Sequence, residues 1–531
     1  MRNPHDVPEE RGLRRSWPFL VLALALLGVG LSFWRPIPAG VWNDDGVYMI
    51  IGKALSHGEG LRYEGVPGGL PAVKFPPLYS GLLAALWLIL GSVGPVTLAA
   101  GLLNLVFIAM AGALTAWALH EEAGLRCREA VALAGLAFAS ADVWRPALVP
   151  LSEPFFLLLA AAALATWPRA SRPGDTRWTA VLAVLLVAAV LTRSAGVAVV
   201  AGFALAMALR RGLLAATAAV GPAILATMAW SAWAAARADR IPEGLRDVLG
   251  PYGGWLARQV VGSPAAFLRG LPVHAEAVTS RIVALLVPGV AGAWLWVAAV
   301  PMAVAALAGG WILAKRFPPL PWVALAYFAM LLVWPFVDRR LVAPLHPWMV
   351  VAVGVAMLEG MRRLPGIWVR RSMAAIAFAW VAAYAAVTAS RAGRGWAAAG
   401  YQLRAGRLAA AVEVLKTTAP ADAVVGAPEF WAALHLHGGW ASAPSARFTP
   451  RSEDEASPVW GTPLQQIAMW REVGVDHLLL EQGGQIHGDA LNMLEQRCPG
   501  TVRILARMPP QMLVRLDWDE ACAASFDRAG R

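Results

Sequence analysis

Apolar runs long enough to cross a bilayer recur from Trp17 to Ser390, and they constrain this chain more than any other feature. A run of about 18 apolar residues coiled as a helix spans a hydrocarbon core of roughly 30 Å. The runs cover approximately residues 17–34, 96–119, 130–147, 154–168, 178–192, 195–209, 213–236, 292–314, 320–336, 341–359 and 372–390, with a shorter one at 76–90. Composition agrees, since 58% of the 531 residues are hydrophobic, against roughly 45 to 50% in soluble domains. A polytopic α-helical membrane protein is the expected fold class.

The net charge of +11 comes from arginines scattered through short loops, not from a basic stripe interleaved with aromatics, so it carries orientation information and argues against nucleic acid as a partner. Arg11, Arg14 and Arg15 precede the first run, which lacks a small-residue cleavage site and reads as an uncleaved span. The segment 76–90 is too short for a clear span. Counting it as interfacial leaves about eleven spans and puts the loop arginines on the side of the N-terminal ones, as the positive-inside rule requires. The expected layout is then a cytoplasmic N-terminus (1–16), a transmembrane module (17–391) with outer loops at 35–91 and 237–281, and an extracytoplasmic tail (392–531). A helix-like stretch at 403–415 and strand-like stretches at 423–426, 477–480 and 512–516 make that tail a small α/β domain. Cys498 and Cys522 fall in it, and the sequence leaves open whether they pair.

Polar groups with chemical potential gather in the outer segments. Asp44-Asp45 opens a short helix carrying Tyr48, a pattern that suits proton abstraction or cation binding and equally an N-cap with a solvated charge. Lys74 stands just before Pro76-Pro77 and Tyr79, where it either snorkels to headgroups or binds phosphate. Ser152-Glu153-Pro154 opens a span, with a capping role as the alternative to a functional one. Arg193 sits between two runs with almost no loop. An unpaired charge at the bilayer centre costs about 2.5 to 3.5 kcal/mol, so it requires an anionic partner. Arg339 and Arg340 form a candidate phosphate fork, with Asp338 as the competing partner. His57, His274 and His346 are too far apart to suggest a metal site, and the 25 tryptophans are interfacial anchors first.

In their order, these features resemble the GT-C superfamily of membrane glycosyltransferases, in particular bacterial relatives of protein O-mannosyltransferases and the lipid A aminoarabinose transferase. The match runs from Trp17 to Arg391: Asp44-Asp45 with Tyr48, the Lys74 to Leu90 element, Ser152-Glu153-Pro154, Leu191-Thr192-Arg193, and Arg339-Arg340 followed by Pro344 and Pro347. Two departures stand out: Phe75 separates Lys74 from the prolines, and Glu153 occupies a position where many relatives carry Asp. The resemblance implies inverting transfer of a sugar from a polyprenyl-phosphate donor to a lipid, glycan or protein acceptor at the outer face of the bacterial inner membrane, a cell-envelope role. It implies Asp44 as general base and Asp45 as its aid, or with it a holder of a divalent cation, no cofactor being assumed. It further implies Lys74, Arg193, Arg339 and Arg340 at the donor phosphate, and Tyr48, Tyr79 and Glu153 about the acceptor or cavity. A transporter or flippase of a lipid-linked or small solute is the rival class. It would need ionisable groups at mid-membrane and paired repeats, neither evident in the sequence.

Overall fold

A computed structural model describes residues 8–262, 264–334, 338–446, 448–449, 459–481, 485–519, 522 and 526. Residues 1–7 of the expected N-terminal segment, and Val337 beside the Asp338-Arg339-Arg340 turn, lie outside that set. Among the described residues the apolar runs are helical over most of their length, but they are unequal. Five helical stretches are long and apolar enough to cross a membrane: Ser16–Phe33, Val93–Glu122, Leu213–Ala238, Ala293–Arg316 and Ile367–Thr418. The expected run at 130–147 is broken, as Cys127–Phe138 and Ala141–Leu148 meet at 64°, and counting that pair as one span makes six.

The remaining runs form shorter helices, and their ends have local causes. Thr176–Thr192 stops at Arg193, which is extended at φ −149°, and Gly196–Arg211 stops at Gly212. Pro77–Leu90, Pro319–Val333 and His346–Arg363 each carry proline in the first turn, where the missing N–H costs nothing. Glu153–Ala170 packs along Val93–Glu122, Gly196–Arg211 along Pro319–Val333, and Ala293–Arg316 along His346–Arg363. The outward faces are bare hydrocarbon: Leu214 is 87% exposed and Phe378 75%. An aqueous surface rarely carries such continuous apolar area, whereas acyl chains match it.

The tail begins with helix Trp396–Thr418 and continues into seven strands: β1 (Val424–Ala427), β2 (Ala441–Pro444), β3 (Phe448–Thr449), β4 (Val459–Trp460), β5 (His477–Glu481), β6 (Val502–Met508) and β7 (Gln511–Leu516). The main sheet has the order β2-β1-β5-β7-β6, parallel from β2 to β5 and antiparallel from β5 to β6, while β3 and β4 pair separately. Helix Trp431–Gly438 makes the crossover between the parallel β1 and β2. The helix at 403–415 and the three expected strands are all present, so the small α/β domain is there. Cys498 and Cys522 form a disulfide.

Candidate active site

The acidic pair sits on a bent piece of backbone. Asn43 has φ 69° and ψ −71°, and the Asp44 amide donates to the Trp42 carbonyl at 2.9 Å, which closes a three-residue turn of the strained, positive-φ kind. The turn sends the two carboxylates different ways. Asp45 points back under the loop, fully buried, and accepts the Gly40 and Trp42 amides at 2.7 and 2.9 Å. Burial pushes its pKa up to about 6, with those amides opposing the rise. Asp44 instead faces a cavity and receives Arg340 Nη2 at 2.7 Å. Burial alone would raise it, but the charge of Arg340, backed by Lys74 and Arg193, holds it below the usual carboxylate value.

Short segments from four parts of the chain complete this cavity, whose volume is about 240 Å³. The one-turn helix Arg339–Val342 is capped by Asp338, which accepts the Arg340 amide at 2.9 Å and so fixes the direction of the Arg340 side chain. Arg340 Nε lies 3.4 Å from Glu153, whose other oxygen meets Arg193 Nη1 at 2.9 Å. Ser152 does not cap its helix. Its hydroxyl takes a hydrogen bond from Arg193 and shares another with Tyr48, both at 2.9 Å. Lys74 donates to the Val248 carbonyl at 2.8 Å and lies against the rings of Phe75 and Tyr252; burial lowers its pKa against the pull of Asp44. Three cations, Lys74, Arg193 and Arg340, thus meet three carboxylates, Asp44, Glu153 and, 3.8 Å from Arg340, Asp338, and Arg340 Nη1 and Arg193 Nε remain buried without a hydrogen-bond partner. Tyr252, Tyr327, Met330, Leu331 and Trp334 give the rest of the lining a largely apolar character. A cavity that combines unpartnered guanidinium N–H donors with a largely apolar remainder suits an amphiphile with an anionic head.

Of the residues expected from sequence, Asp44, Tyr48, Lys74, Arg193 and Arg340 line this cavity, and Asp45, Tyr79 and Glu153 stand directly behind it. Tyr79 packs edge-on against Tyr48 with ring centroids 5.1 Å apart and receives Asn104 Nδ2. Arg339 turns the other way. It binds Asp142 at 2.8 Å, as does Arg391, and a pocket of about 20 Å³ near them is lined by Trp42, Arg145 and Tyr401. The Arg145 guanidinium lies over Trp42, Trp396 and Tyr401 with no carboxylate in ion-pair range among the described residues. Asp142 and Arg145 were overlooked because they fall within the run read as one span. Their charges, inside an otherwise apolar stretch, were the available sign of the break.

Among the described residues no group of three or more His, Cys, Asp and Glu side chains is arranged to hold a metal ion. The acidic pair itself is satisfied by N–H donors, amides on Asp45 and a guanidinium on Asp44, a donor set that does not fit a divalent cation. His274 and His346 meet the Leu331 carbonyl and the Tyr384 hydroxyl.

No protein-family model matches the chain, and no curated protein matches it in sequence. Among solved structures it is similar to ArnT from Cupriavidus metallidurans bound to undecaprenyl phosphate, with a TM-score of 0.54 and 14% identity, covering 93% of this chain and 97% of that one. It is also similar to the oligosaccharyltransferase AglB from Archaeoglobus fulgidus, in complex with an inhibitory peptide and a dolichol-phosphate. There the TM-score is 0.53 at 12% identity, covering 95% of this chain and 75% of that one. Both are GT-C superfamily membrane glycosyltransferases, and the chain has their fold.

Proposed function

We propose that this chain is a membrane glycosyltransferase that takes a sugar from a polyprenyl-phosphate-linked donor and gives it, with inversion, to a lipid, glycan or protein acceptor. The observation that carries the reading is Asp44 held beside Arg340, Arg193 and Lys74 in one cavity whose remaining lining is largely apolar. In the reaction, an acceptor O–H attacks the anomeric carbon as the bond from that carbon to the phosphate oxygen breaks. The electron pair leaves on the polyprenyl phosphate, and the acceptor proton passes to Asp44. The unpartnered Arg340 Nη1 and Arg193 Nε are donors poised for the phosphate charge that grows as the bond breaks. A phosphate that draws Arg340 away would also relieve Asp44 of its strongest counter-charge and raise its basicity, which couples donor binding to base strength. Asp45 keeps the loop in shape, and Glu153 bridges Arg193 and Arg340, one carboxylate oxygen to each. ArnT was solved with undecaprenyl phosphate and AglB with dolichol-phosphate, and this kinship of fold supports the same class of carrier here.

The module is read as bacterial inner membrane, with the cavity and tail on the extracytoplasmic side, in the layout given by loop charge. The Cys498–Cys522 disulfide supports that side for the tail, because such bonds persist in oxidising compartments. The test is to incubate membranes with radiolabelled polyprenyl-phosphate sugars and compare wild type with Asp44→Asn and Asp45→Asn. Transfer by wild type and its loss in Asp44→Asn are expected; transfer at the wild-type rate by both variants overturns the assignment.

A further inference from the structure

No residue of the tail lines the main cavity; among the described residues its lining ends at Leu341. The tail nevertheless grips the loop that carries the acidic pair. His437 Nε2 donates to the Ala39 carbonyl at 2.9 Å, and Gly40, the next residue, gives its amide to Asp45. Arg404 Nε donates to the Val41 carbonyl at 2.5 Å and is itself paired with Glu429. The Ala39–Gly40 and Val41–Trp42 peptide groups, whose amides Asp45 accepts, are therefore both held from the tail. The contact is close: a Cβ on Gly40, which has φ +88°, would lie 2.3 Å from the Ala433 methyl group. A second tie lies a little further along the first loop. Ser442 N donates to the Gly65 carbonyl at 2.9 Å, and Glu64 joins Lys53, in the last turn of the Asp44–Ser56 helix, to His435 of the tail.

Taking the glycosyltransferase reading as its basis, we infer that helix Trp431–Gly438 is a positioning element for Asp45, with His437 acting through the Ala39–Gly40 peptide to hold the amide that Asp45 accepts. The tail then belongs to the catalytic unit without touching substrate. Loss of that amide would remove a group that favours the ionised carboxylate, so the protonated form would persist to higher pH. Asp44 is the charged neighbour that acts directly on Asp45, while His437, Arg404 and Glu429 stand beyond the Ala39 and Val41 carbonyls.

The experiment uses the full chain in detergent micelles and reads the Asp45 carboxyl by pH-difference infrared spectroscopy, the band being assigned by its absence in Asp45→Asn. A midpoint near 6 is expected for wild type, moving upward in His437→Ala and returning in His437→Gln, whose amide can still donate to Ala39. In the sugar-transfer assay the same pair should show kcat lowered and restored at constant KM. Arg404→Ala, which removes the donor to the Val41 carbonyl, provides a second route to the upward shift if His437→Ala fails to fold. An unmoved midpoint in either folded variant, or a His437→Gln protein that behaves like the alanine one, overturns the inference. Transfer at the wild-type rate by both Asp44→Asn and Asp45→Asn sinks the glycosyltransferase reading separately, because the infrared result does not depend on turnover.

Discussion

Arg339 and Arg340 are adjacent in sequence, yet they serve two different regions on either side of Trp42. Arg340 joins Asp44 and Glu153 around an open cavity of about 240 Å³; Arg339 joins Arg391 on Asp142 beside a pocket of about 20 Å³. A helical turn rotates neighbouring side chains by roughly 100°, so even the single turn Arg339–Val342 separates them. Room is what distinguishes the two regions. On the Arg340 side donors remain unsatisfied and space is available, so the ion pairs can exchange for a ligand. On the Arg339 side, Arg145, Arg339 and Arg391 lie over Trp396, and Asp142 is the anion shared by Arg339 and Arg391. Burial and the charges of Arg391 and Arg145 pull Arg339 below its usual pKa even though Asp142 opposes them. That side reads as a strut, and the other as a socket.

The sharpest way to break this contrast is Asp44→Asn, which should lower sugar transfer by about 10³-fold while leaving the protein folded, as measured on purified protein of matched thermal stability. Arg340→Lys should follow at about 10²-fold, because an ammonium cannot serve Asp44 and a phosphate with a planar fork. Asp142→Asn should act on stability instead, costing about 3 kcal/mol by leaving crowded guanidiniums without a counter-ion. It should lower the melting temperature in detergent, with turnover per folded molecule little changed. If Asp142→Asn abolished turnover in folded protein, the strut would be part of the socket.

pH separates Asp44 from Asp45. Asp45 has its folded pKa raised to about 6, so its protonated form adds stability fully below its unfolded value, and that gain is lost as pH rises through 6. Asp44 is depressed, and its contribution is present above its unfolded value and lost only as pH falls through the folded one. Transfer should therefore decline below about pH 6 as Asp45 takes a proton, while Asp44 stays ionised, and the acid limb near 6 should vanish in the residual activity of Asp45→Asn. The smallest effect is expected from Cys498→Ser. Opening the 24-residue separation loosens the far edge of the tail, worth about 3 kcal/mol to that domain, and transfer should change less than twofold.

Much of this was legible in the chain itself. The apolar runs, the acidic pair after a turn, and the lone Arg193 between two runs are local patterns, and each lies where the sequence suggested, as helices or at helix ends. The segment 130–147 reads as one run because its apolar average hides Asp142 and Arg145, where the structure bends it by 64°, and the count of long apolar helices falls below the expected spans where proline, glycine and Arg193 shorten them. The divergence of Arg339 from Arg340 depends on one turn of helix whose partners lie some 200 and 300 residues earlier, separations of 197 and 296. No local pattern encodes that.

By itself, then, the sequence determined the solvent, the residue types available for chemistry and the placement of charge at run ends, because hydropathy and short-range turn propensities act over a few residues. Only the tertiary structure decided which carboxylate each arginine meets, that Asp45 faces backbone amides while Asp44 faces the cavity, and that a helix near residue 435 steadies a loop near residue 40. Those outcomes depend on contacts between distant segments, which form only when the packed helices and the tail are brought together.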